Sequence, residues 1–324
     1  MFGIVGMKNS TSLILVGGFG FVGRNILDVM ARDAAFAGLE PVVIDNLSNA
    51  APGHGDMDVP SHVGSYEDSA AVDFANAQGE DGAARVFVFL AGETRVAESK
   101  DRPLDFIKAN IDDPAAFVMQ AVRPGDHFIL ISTAGALFDG TFEVRTTSAY
   151  CPKNFYGATK AAEEMVLEKL VELRGATFSV VRMTNVYGVF SDLKKSAIHA
   201  FTRAAIDGSD VFINGDGKQS RDFIFSGDVG RAIATQALRV RNGDAWDKVN
   251  MIGAGISTSL MDVVAAIEDA AGQELKYEKI AAKELLATEP RDVIANGVDV
   301  SVLLGEQITS LADGIKATHA YYQG

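Results

Sequence analysis

The stretch LVGGFGFVGRN, residues 15–25, decides the fold, because an apolar run breaks into regularly spaced glycines and then continues with helical periodicity. The glycines are Gly17, Gly20 and Gly23. Because glycine has no Cβ, such a turn lets the backbone approach a pyrophosphate closely and lets the helix pack tightly on the strand. The helix start also offers unpaired N–H groups and the positive end of its dipole. Taken alone, the pattern is equally compatible with a simple tight turn.

The next apolar run makes a dinucleotide the better interpretation. It ends in VVID and places Asp45 about 22 residues after Gly23, where a carboxylate can bind the hydroxyl groups of an adenosine ribose. A carboxylate repels a 2′-phosphate, and Asn46 rather than an arginine follows it. The sequence therefore favours NAD over NADP, and the alternative is that Asp45 is a plain loop carboxylate.

The composition is that of a globular protein. The chain has 324 residues, 48% of them hydrophobic, which suffices for a large core. Its formal net charge of -14 would repel nucleic acids and acidic membranes. The single cysteine, Cys151, favours a reducing compartment and hence the cytoplasm. We expect no metal site, because the histidines lack ligand spacing, and no membrane span, because no apolar run approaches the roughly 20 residues required.

Short apolar runs alternate with segments of 3.6-residue periodicity, which predicts an α/β fold. The runs that predict buried strands are SLILVGG, PVVIDN, RVFVFLAG, HFILIST, FSVVRMTNVYG and KVNMIG. The predicted helices are 21–36, 103–122, 154–174 and 226–239. Parallel strands need crossover helices, so we expect a doubly wound parallel sheet of the Rossmann type with helices on both faces.

The regular alternation weakens after residue 187, which predicts a second, smaller lobe. We assign residues 1–186, together with about 226–252, to the cofactor domain. Residues 187–225 and 253–324 form the predicted substrate lobe, which is mixed and mostly helical. Residues 46–61, which are rich in Gly, Pro, Asn and Asp, are predicted to form a long loop.

A tyrosine and a lysine stand four residues apart at the start of the predicted helix 154–174. Tyr156 and Lys160 of NFYGATKAAEEM therefore share one helix face. An ammonium beside a phenol favours the phenolate, so the pair is a candidate acid/base; the alternative is a solvated helix pair with a packing tyrosine. Ser132 and Thr133 end the predicted strand HFILIST, where open α/β sheets bind ligands. Thr133 is the first candidate to bridge substrate and phenol, and Ser132 the second.

Together these motifs resemble one family. The glycine loop, Asp45, FLAG, the Ser-Thr strand end, YGATK, RMTNVYG and GDGKQSRDFIFSGDV are similar, in the same order, to the extended short-chain dehydrogenase/reductases. The branch they resemble is the NAD-dependent epimerases and dehydratases of nucleotide sugars. The similarity extends over nearly the whole chain, and it implies NAD as the cofactor and the smaller lobe as the nucleotide-sugar-binding part.

The resemblance implies roles for individual residues. Tyr156 would be the catalytic base, Lys160 would hold the nicotinamide ribose and lower the pKa of Tyr156, and Thr133 would complete the catalytic set. The implied cofactor-binding residues are Gly17, Gly20, Phe21, Val22, Gly23, Asp45, Asn46, Ser65, Tyr66, Leu90, Ala91, Gly92 and Lys160. Ser65 and Tyr66 stand where relatives usually have an aspartate and an apolar residue against the adenine.

The resemblance also implies a set of substrate-binding residues: Ser132, Asn185, Phe212, Arg221 and Arg291. Asn185 and the two arginines would bind the nucleotide diphosphate, since a planar guanidinium matches phosphate oxygens. The position before GDG, which often carries an aromatic that stacks on the base, is Asn214. Phe212, two residues earlier, is a candidate to replace it, and the alternative is that Phe212 packs in the core.

The activity implied is 4-epimerisation, by transient oxidation at C4 and hydride return to the opposite face. In the family's dehydratases an Asp-Glu pair follows the threonine, whereas Ala134 and Gly135 follow Thr133 here. The alternatives are a dehydratase, decarboxylase or reductase of the same family, or a catalytically silent NAD-binding regulatory protein. The expected partners are a nucleotide diphosphate sugar, with UDP as the expected carrier, and a second copy of the chain in a homodimer.

Overall fold

The computed structural model describes residues 10–80, 83–138, 143–281, 294–295, 300–305 and 307–324. Its strands are β1 Thr11–Val16, β2 Leu39–Asp45, β3 Ser61–Val63, β4 Ala84–Phe89, β5 His127–Thr133, β6 Glu143–Val144, β7 Thr177–Met183, β8 Asn185–Tyr187, β9 Val211–Asn214, β10 Ser220–Arg221, β11 Phe223–Phe225, β12 Val249–Ile252, β13 Thr258–Ser259, β14 Tyr277–Ile280 and β15 Ile294–Ala295. Its α-helices are α1 Phe21–Arg32, α2 Ser69–Ala77, α3 Pro103–Ile107, α4 Asp113–Ala121, α5 Phe155–Leu173, α6 Ala197–Asp207, α7 Ser226–Asn242, α8 Leu260–Ala271, α9 Val300–Leu304 and α10 Leu311–Gln323. A π-helical turn, Lys108–Asp112, joins α3 to α4. Within these residues, no helix combines the length and the apolar character that a membrane span requires.

Seven strands form one sheet in the order β12-β7-β5-β4-β1-β2-β3, and every neighbouring pair is parallel. The predicted Rossmann-type α/β fold is therefore confirmed. The sequence predicted six of the seven strands. The seventh, β3, has three residues at the edge of the sheet, and a segment this short carries no readable periodicity.

The sheet is buried on both faces, as the nearly continuous apolar runs predicted. Leu13 and Leu15 of β1 join the core cluster that includes α1 and α7. Ile14 and Val16 join the cluster on the other face, formed with α2, α4 and α5. Side chains alternate along a strand, so a run without polar residues supplies both cores.

The predicted strand FSVVRMTNVYG divides into two strands. Its first part is β7, which stays in the main sheet, whereas β8 leaves it and pairs in parallel with β11. Beyond this point α6, α8 and α10 share a separate hydrophobic cluster that contains Tyr187 and Phe201. The smaller lobe is therefore mixed, with helices around short strand pairs such as β9 with β14.

The chain returns to the main sheet through α7 and β12. β12 pairs in parallel with β7, and α7 lies so close to α1 that a Cβ on Gly230 would be 2.6 Å from the carbonyl oxygen of Asn25. The sequence pattern predicted this return of a helix and a strand, at about residues 226–252, to the main sheet. The residue limits of the two predicted domains stay a prediction.

Candidate active site

The glycine loop joins β1 to α1 and leaves the start of that helix open. Gly17 has a φ of +82°, and a Cβ there would lie 3.0 Å from the backbone nitrogen of Ala91. A Cβ on Gly23 would overlap the Gly18 carbonyl, so α1 packs directly on the loop. Gly20 is the N-cap of α1, and no side chain caps the helix there. The first backbone N–H groups of α1 are thus available for a phosphate.

Asp45, at the end of β2, connects the glycine loop to the next segment. Its buried carboxylate accepts hydrogen bonds from the backbone N–H groups of Phe19 at 2.9 Å and Leu47 at 2.7 Å. The carboxylate therefore holds the loop in shape and lies at the carboxyl ends of β1 and β2. Asn46 beside it is exposed. The ribose contact of Asp45 stays a prediction, but the position is the one it requires.

Tyr66, which follows β3, packs into the core at the carboxyl edge of the sheet. Its ring meets Phe89 and Phe117 edge-on, with ring centroids 5.2 Å and 5.8 Å apart, and burial raises the pKa of its hydroxyl. The neighbouring Ser65 hydroxyl donates to the Glu67 carboxylate at 3.3 Å. The Tyr66 ring thus has a packing role, and adenine contacts of either residue stay a prediction.

Asn110 is a residue that the sequence analysis missed. It lies in the π-helical turn between α3 and α4, and its side chain is completely buried. Its amide oxygen accepts from the Glu93 N–H at 2.8 Å, and its amide nitrogen donates to the Thr159 hydroxyl at 3.2 Å. Asn110 therefore fastens the segment after Leu90, Ala91 and Gly92 to α5. A polar residue within the apolar periodicity of 103–122 was the available signal, and π-helical turns often mark functional sites.

Helix α5 begins against the loop that follows β5. The Asn154 side chain caps it by accepting from the Gly157 N–H at 2.7 Å. A Cβ on Gly157 would overlap the Ala136 carbonyl oxygen, so glycine lets the first turn approach this loop closely. This first turn also places the Tyr156 phenol near the Thr133 hydroxyl, which lowers the pKa of the phenol.

Lys160 is buried one turn after Tyr156 on α5. Its Nζ donates to the Ile131 carbonyl of β5 at 3.0 Å and forms an ion pair with Glu163. The side chains of Tyr156 and Lys160 are 7% and 5% exposed respectively, so the alternative of a solvated helix pair is wrong. The structure brings Thr133, Tyr156 and Lys160 together at the carboxyl end of β5.

The electrostatics of Tyr156 differ from the sequence expectation. Burial raises the pKa of the phenol, and the Glu163 carboxylate raises it further. The Lys160 ammonium and the Thr133 hydroxyl lower it, but the net direction is upward. The ammonium does not prevail, because burial of the phenol outweighs it and the Glu163 carboxylate on the same helix adds to the effect of burial.

Of the residues that the sequence predicts to bind substrate, Asn185 contacts the residue that follows Arg221. The Asn185 backbone and side-chain amides both donate to the carbonyl of Asp222, at 3.0 Å and 3.2 Å. Arg221 is half-buried, and Ser132 is buried on β5 without a hydrogen-bond partner for its hydroxyl in the described chain.

Phe212 lies on β9 and is 59% exposed. The alternative that it packs in the core is therefore wrong, because alternate residues of this strand face outward. Arg291 lies outside the described residues.

Comparison with known proteins agrees with this geometry. A sequence model described as the NAD dependent epimerase/dehydratase family matches residues 13–251. The chain belongs to that family. It is 27% identical over 329 residues to the low-salt glycan biosynthesis protein Agl12 of Haloferax volcanii, covering 96% of this chain and 98% of Agl12. It is 27% identical to a dTDP-glucose 4,6-dehydratase of Xanthomonas campestris pv. campestris, covering 78% of this chain and 74% of the dehydratase.

A solved structure supports the same assignment. The crystal structure of the UDP-glucose 4-epimerase of Thermotoga maritima with UDP-glucose superposes with a TM-score of 0.79 at 25% identity, covering 96% of this chain and 98% of the epimerase. Members of this family are NAD dependent, so the cofactor of this chain is NAD. The open helix start at Gly20, the close approach at Gly17 and the Asp45 carboxylate fit a dinucleotide.

Proposed function

We propose that this family member is a nucleotide-sugar 4-epimerase. The observation that carries the proposal is the buried pair of Tyr156 and Lys160, with the half-buried Thr133 near them, at the carboxyl edge of the sheet. A sensor of NAD would need the glycine loop but not a buried phenol beside an ammonium. This set therefore favours an enzyme over a silent binding protein.

In the proposed reaction Tyr156 accepts the proton of the sugar C4 hydroxyl, while the Thr133 hydroxyl orients both oxygens. Bound NAD would supply the acceptor and donor of the C4 hydride, and the residues that would hold it are those of the glycine loop, Asp45 and Lys160. Lys160 stabilises the phenolate and holds the nicotinamide ribose. After the 4-keto sugar has turned over in the site, Tyr156 gives the proton back, so no proton is consumed over the cycle.

The residues after Thr133 favour epimerisation over dehydration. A 4,6-dehydratase needs an additional acid and base near the sugar to remove the C5 proton and expel the C6 hydroxyl. Ala134 and Gly135 occupy these positions and carry no such group. The dehydratase from Xanthomonas campestris is as similar in identity as Agl12, so the argument rests on these two positions and not on overall similarity.

The proposed substrate is a UDP-linked sugar. The relative from Thermotoga maritima was crystallised with UDP-glucose, and Asn185 and Arg221 offer an amide and a guanidinium for a diphosphate. The exposed ring of Phe212 could stack on the base. We further propose that residues 1–186 and 226–252 bind NAD and the remaining residues bind the sugar nucleotide.

We also propose that the protein is a homodimer. Large apolar side chains are exposed on α3 and α5: Leu104 is 76%, Met165 58% and Leu173 73% exposed. Exposed apolar surface of this extent on neighbouring helices is typical of an interface.

The proposal is tested by incubating the purified protein with UDP-, dTDP- and GDP-sugars and following C4 epimers by NMR without added NAD. Epimers should interconvert, and Tyr156→Phe should lower the rate by about 100-fold or more, because the phenol is the only proposed proton acceptor. Tyr277→Phe, which removes an exposed hydroxyl on β14, should leave the rate unchanged.

Retained turnover in Tyr156→Phe would remove this residue from the mechanism. Formation of a dehydrated 4-keto product would show that the protein catalyses dehydration instead of epimerisation. Failure to react with the whole panel, together with tight NAD binding, would favour the silent regulatory protein.

A further inference from the structure

Glu163 is a carboxylate buried behind the candidate catalytic residues. It follows Lys160 by three residues on α5 and is completely inaccessible to solvent. Carboxylates are almost never buried to this degree unless they are paired. Its partner is the Lys160 ammonium, and within the described chain neither oxygen accepts a hydrogen bond from any other group.

This isolation distinguishes Glu163 from its neighbour. Glu164 is equally buried but binds Arg182 of β7 at 2.7 Å and accepts the Tyr150 hydroxyl at 2.6 Å, so it belongs to a network that fastens the loop before α5. Among the described residues, Glu163 has no such network, and its one ion pair is with Lys160.

The two acceptors of Lys160 fix its position. An ammonium has three N–H donors; one points to the Ile131 carbonyl and another to Glu163. The direction of the third is then determined by the other two. The side chain of Lys160 would otherwise be free to rotate about several bonds.

We propose that Glu163 is a positioning residue that holds the Lys160 ammonium and sets the pH at which Tyr156 accepts a proton. The proposal rests on the proposed function in one respect, namely that Tyr156 is the base. It adds that Lys160 and Glu163, a cation and an anion on the same helix, have opposite effects on the pKa of this base.

The charges around Glu163 support this balance. The titratable groups that face it are Lys160, Tyr156 and Glu164 on α5 and Tyr66 from the segment after β3. The Glu163 carboxylate raises the pKa of Tyr156, whereas Lys160 lowers it. Burial, opposed by Lys160, raises the pKa of Glu163 itself to about 7. Burial thus favours protonation of Glu163, and protonation removes a repulsion from the phenolate.

Glu163→Gln tests the charge. The amide keeps the shape and an acceptor for Lys160 but removes the anion. The control is Glu172→Gln, the same change at a half-exposed position of α5. The phenolate absorbance of the NAD-saturated protein is titrated in each variant and in the same variant carrying Tyr156→Phe, and the difference reports Tyr156 alone.

We expect Glu163→Gln to shift the Tyr156 titration downward by about one pH unit relative to Glu172→Gln, as a unit charge a few ångströms away would. The acidic limb of kcat/KM should move in the same direction. Identical Tyr156 titrations in the two variants, even with a lower melting temperature for Glu163→Gln, would make Glu163 a merely structural ion pair and overturn the proposal.

Glu163→Ala tests the positioning, since it removes both charge and acceptor. NAD affinity, measured by calorimetry, should fall about tenfold in Glu163→Ala and stay within about threefold in Glu163→Gln. Equal affinities would refute positioning, and if Glu163→Ala does not fold, the glutamine variant decides alone. The Tyr156 titration and the NAD calorimetry use no sugar, so a protein without epimerase activity would contradict the proposed function and still test this inference.

Discussion

Asp45 illustrates how one side chain serves both the fold and the site. Its carboxylate accepts two backbone N–H groups, one from the glycine loop and one from the segment after β2. A carboxylate oxygen has more than one lone pair, so these bonds still leave acceptors for a ribose. The residue thus shapes the loop that it is expected to use.

Asp45→Asn should weaken NAD binding about tenfold, because the amide has only one acceptor oxygen and loses the charge. NADP binding should weaken less or improve, since the repulsion of a 2′-phosphate disappears. Glu40→Gln, the same change at an exposed position of β2, is the control in a calorimetric titration with both cofactors. Equal loss for NAD and NADP would mean that Asp45 acts only through the loop.

Helix α5 is placed by its first turn. Asn154 fixes where the helix starts, and Gly157 lets it approach the loop after β5. The π-helical turn around Asn110 is fastened to α5 by the hydrogen bond from the Asn110 amide to the Thr159 hydroxyl. Two irregularities, a glycine and a π turn, therefore determine where the regular helix presents its phenol and ammonium.

Gly157→Ala should lower the free energy of unfolding by about 1–3 kcal/mol, because a methyl group has no room beside the Ala136 carbonyl. It should also lower turnover more than NAD affinity, since the phenol moves away from Thr133. Gly135→Ala lies in the same loop with open space around its Cβ and should leave stability nearly unchanged. Chemical denaturation of both variants checks the difference, and equal stabilities would contradict the close packing.

The molecule as a whole buries titratable groups that link its stability to pH. His127 begins β5 and lies between the hydroxyl groups of Thr177, at 2.8 Å, and Ser179, at 2.9 Å. Trp246 covers it edge-on. Burial lowers the pKa of His127 to about 4, so the folded protein holds it neutral where the unfolded chain already takes up a proton.

Stability should therefore be lost as the pH falls. The unfolded imidazole binds a proton below about pH 6.5 and the folded one only near pH 4, so this group costs about 1.4 kcal/mol per pH unit in that interval. His127→Gln lacks this dependence. The difference in the free energy of unfolding between the parent and His127→Gln should therefore shrink by about 1.4 kcal/mol for each unit by which the pH falls in this interval. Urea denaturation at several pH values checks the slope, with His62→Gln at the sheet edge as control. Parallel pH dependences of parent and His127→Gln would show that His127 does not titrate as proposed.

The candidate site could be predicted from the sequence because its residues either follow strand ends or share one face of a helix. The glycine loop, Asp45, Thr133 and Tyr156 with Lys160 lie on segments whose periodicity is clear in the sequence. The strand β3, the π-helical turn with Asn110 and the exposure of Phe212 were not predictable with the same certainty. Each of these features depends on which other part of the chain packs or pairs with a short or irregular segment. The local sequence pattern does not encode such long-range contacts.

The sequence by itself determined the α/β class, the family and the residue types of the site, because buried parallel strands and glycine turns impose patterns of short range. Only the tertiary structure decided that Tyr156 and Lys160 are buried, that Glu163 is paired with the ammonium, and that the pKa of the phenol is raised. Burial arises from segments distant along the chain, here β5 against α5. The Lys160–Glu163 pair lies within α5, but its energy and the pKa of the phenol depend on that burial and not on spacing alone.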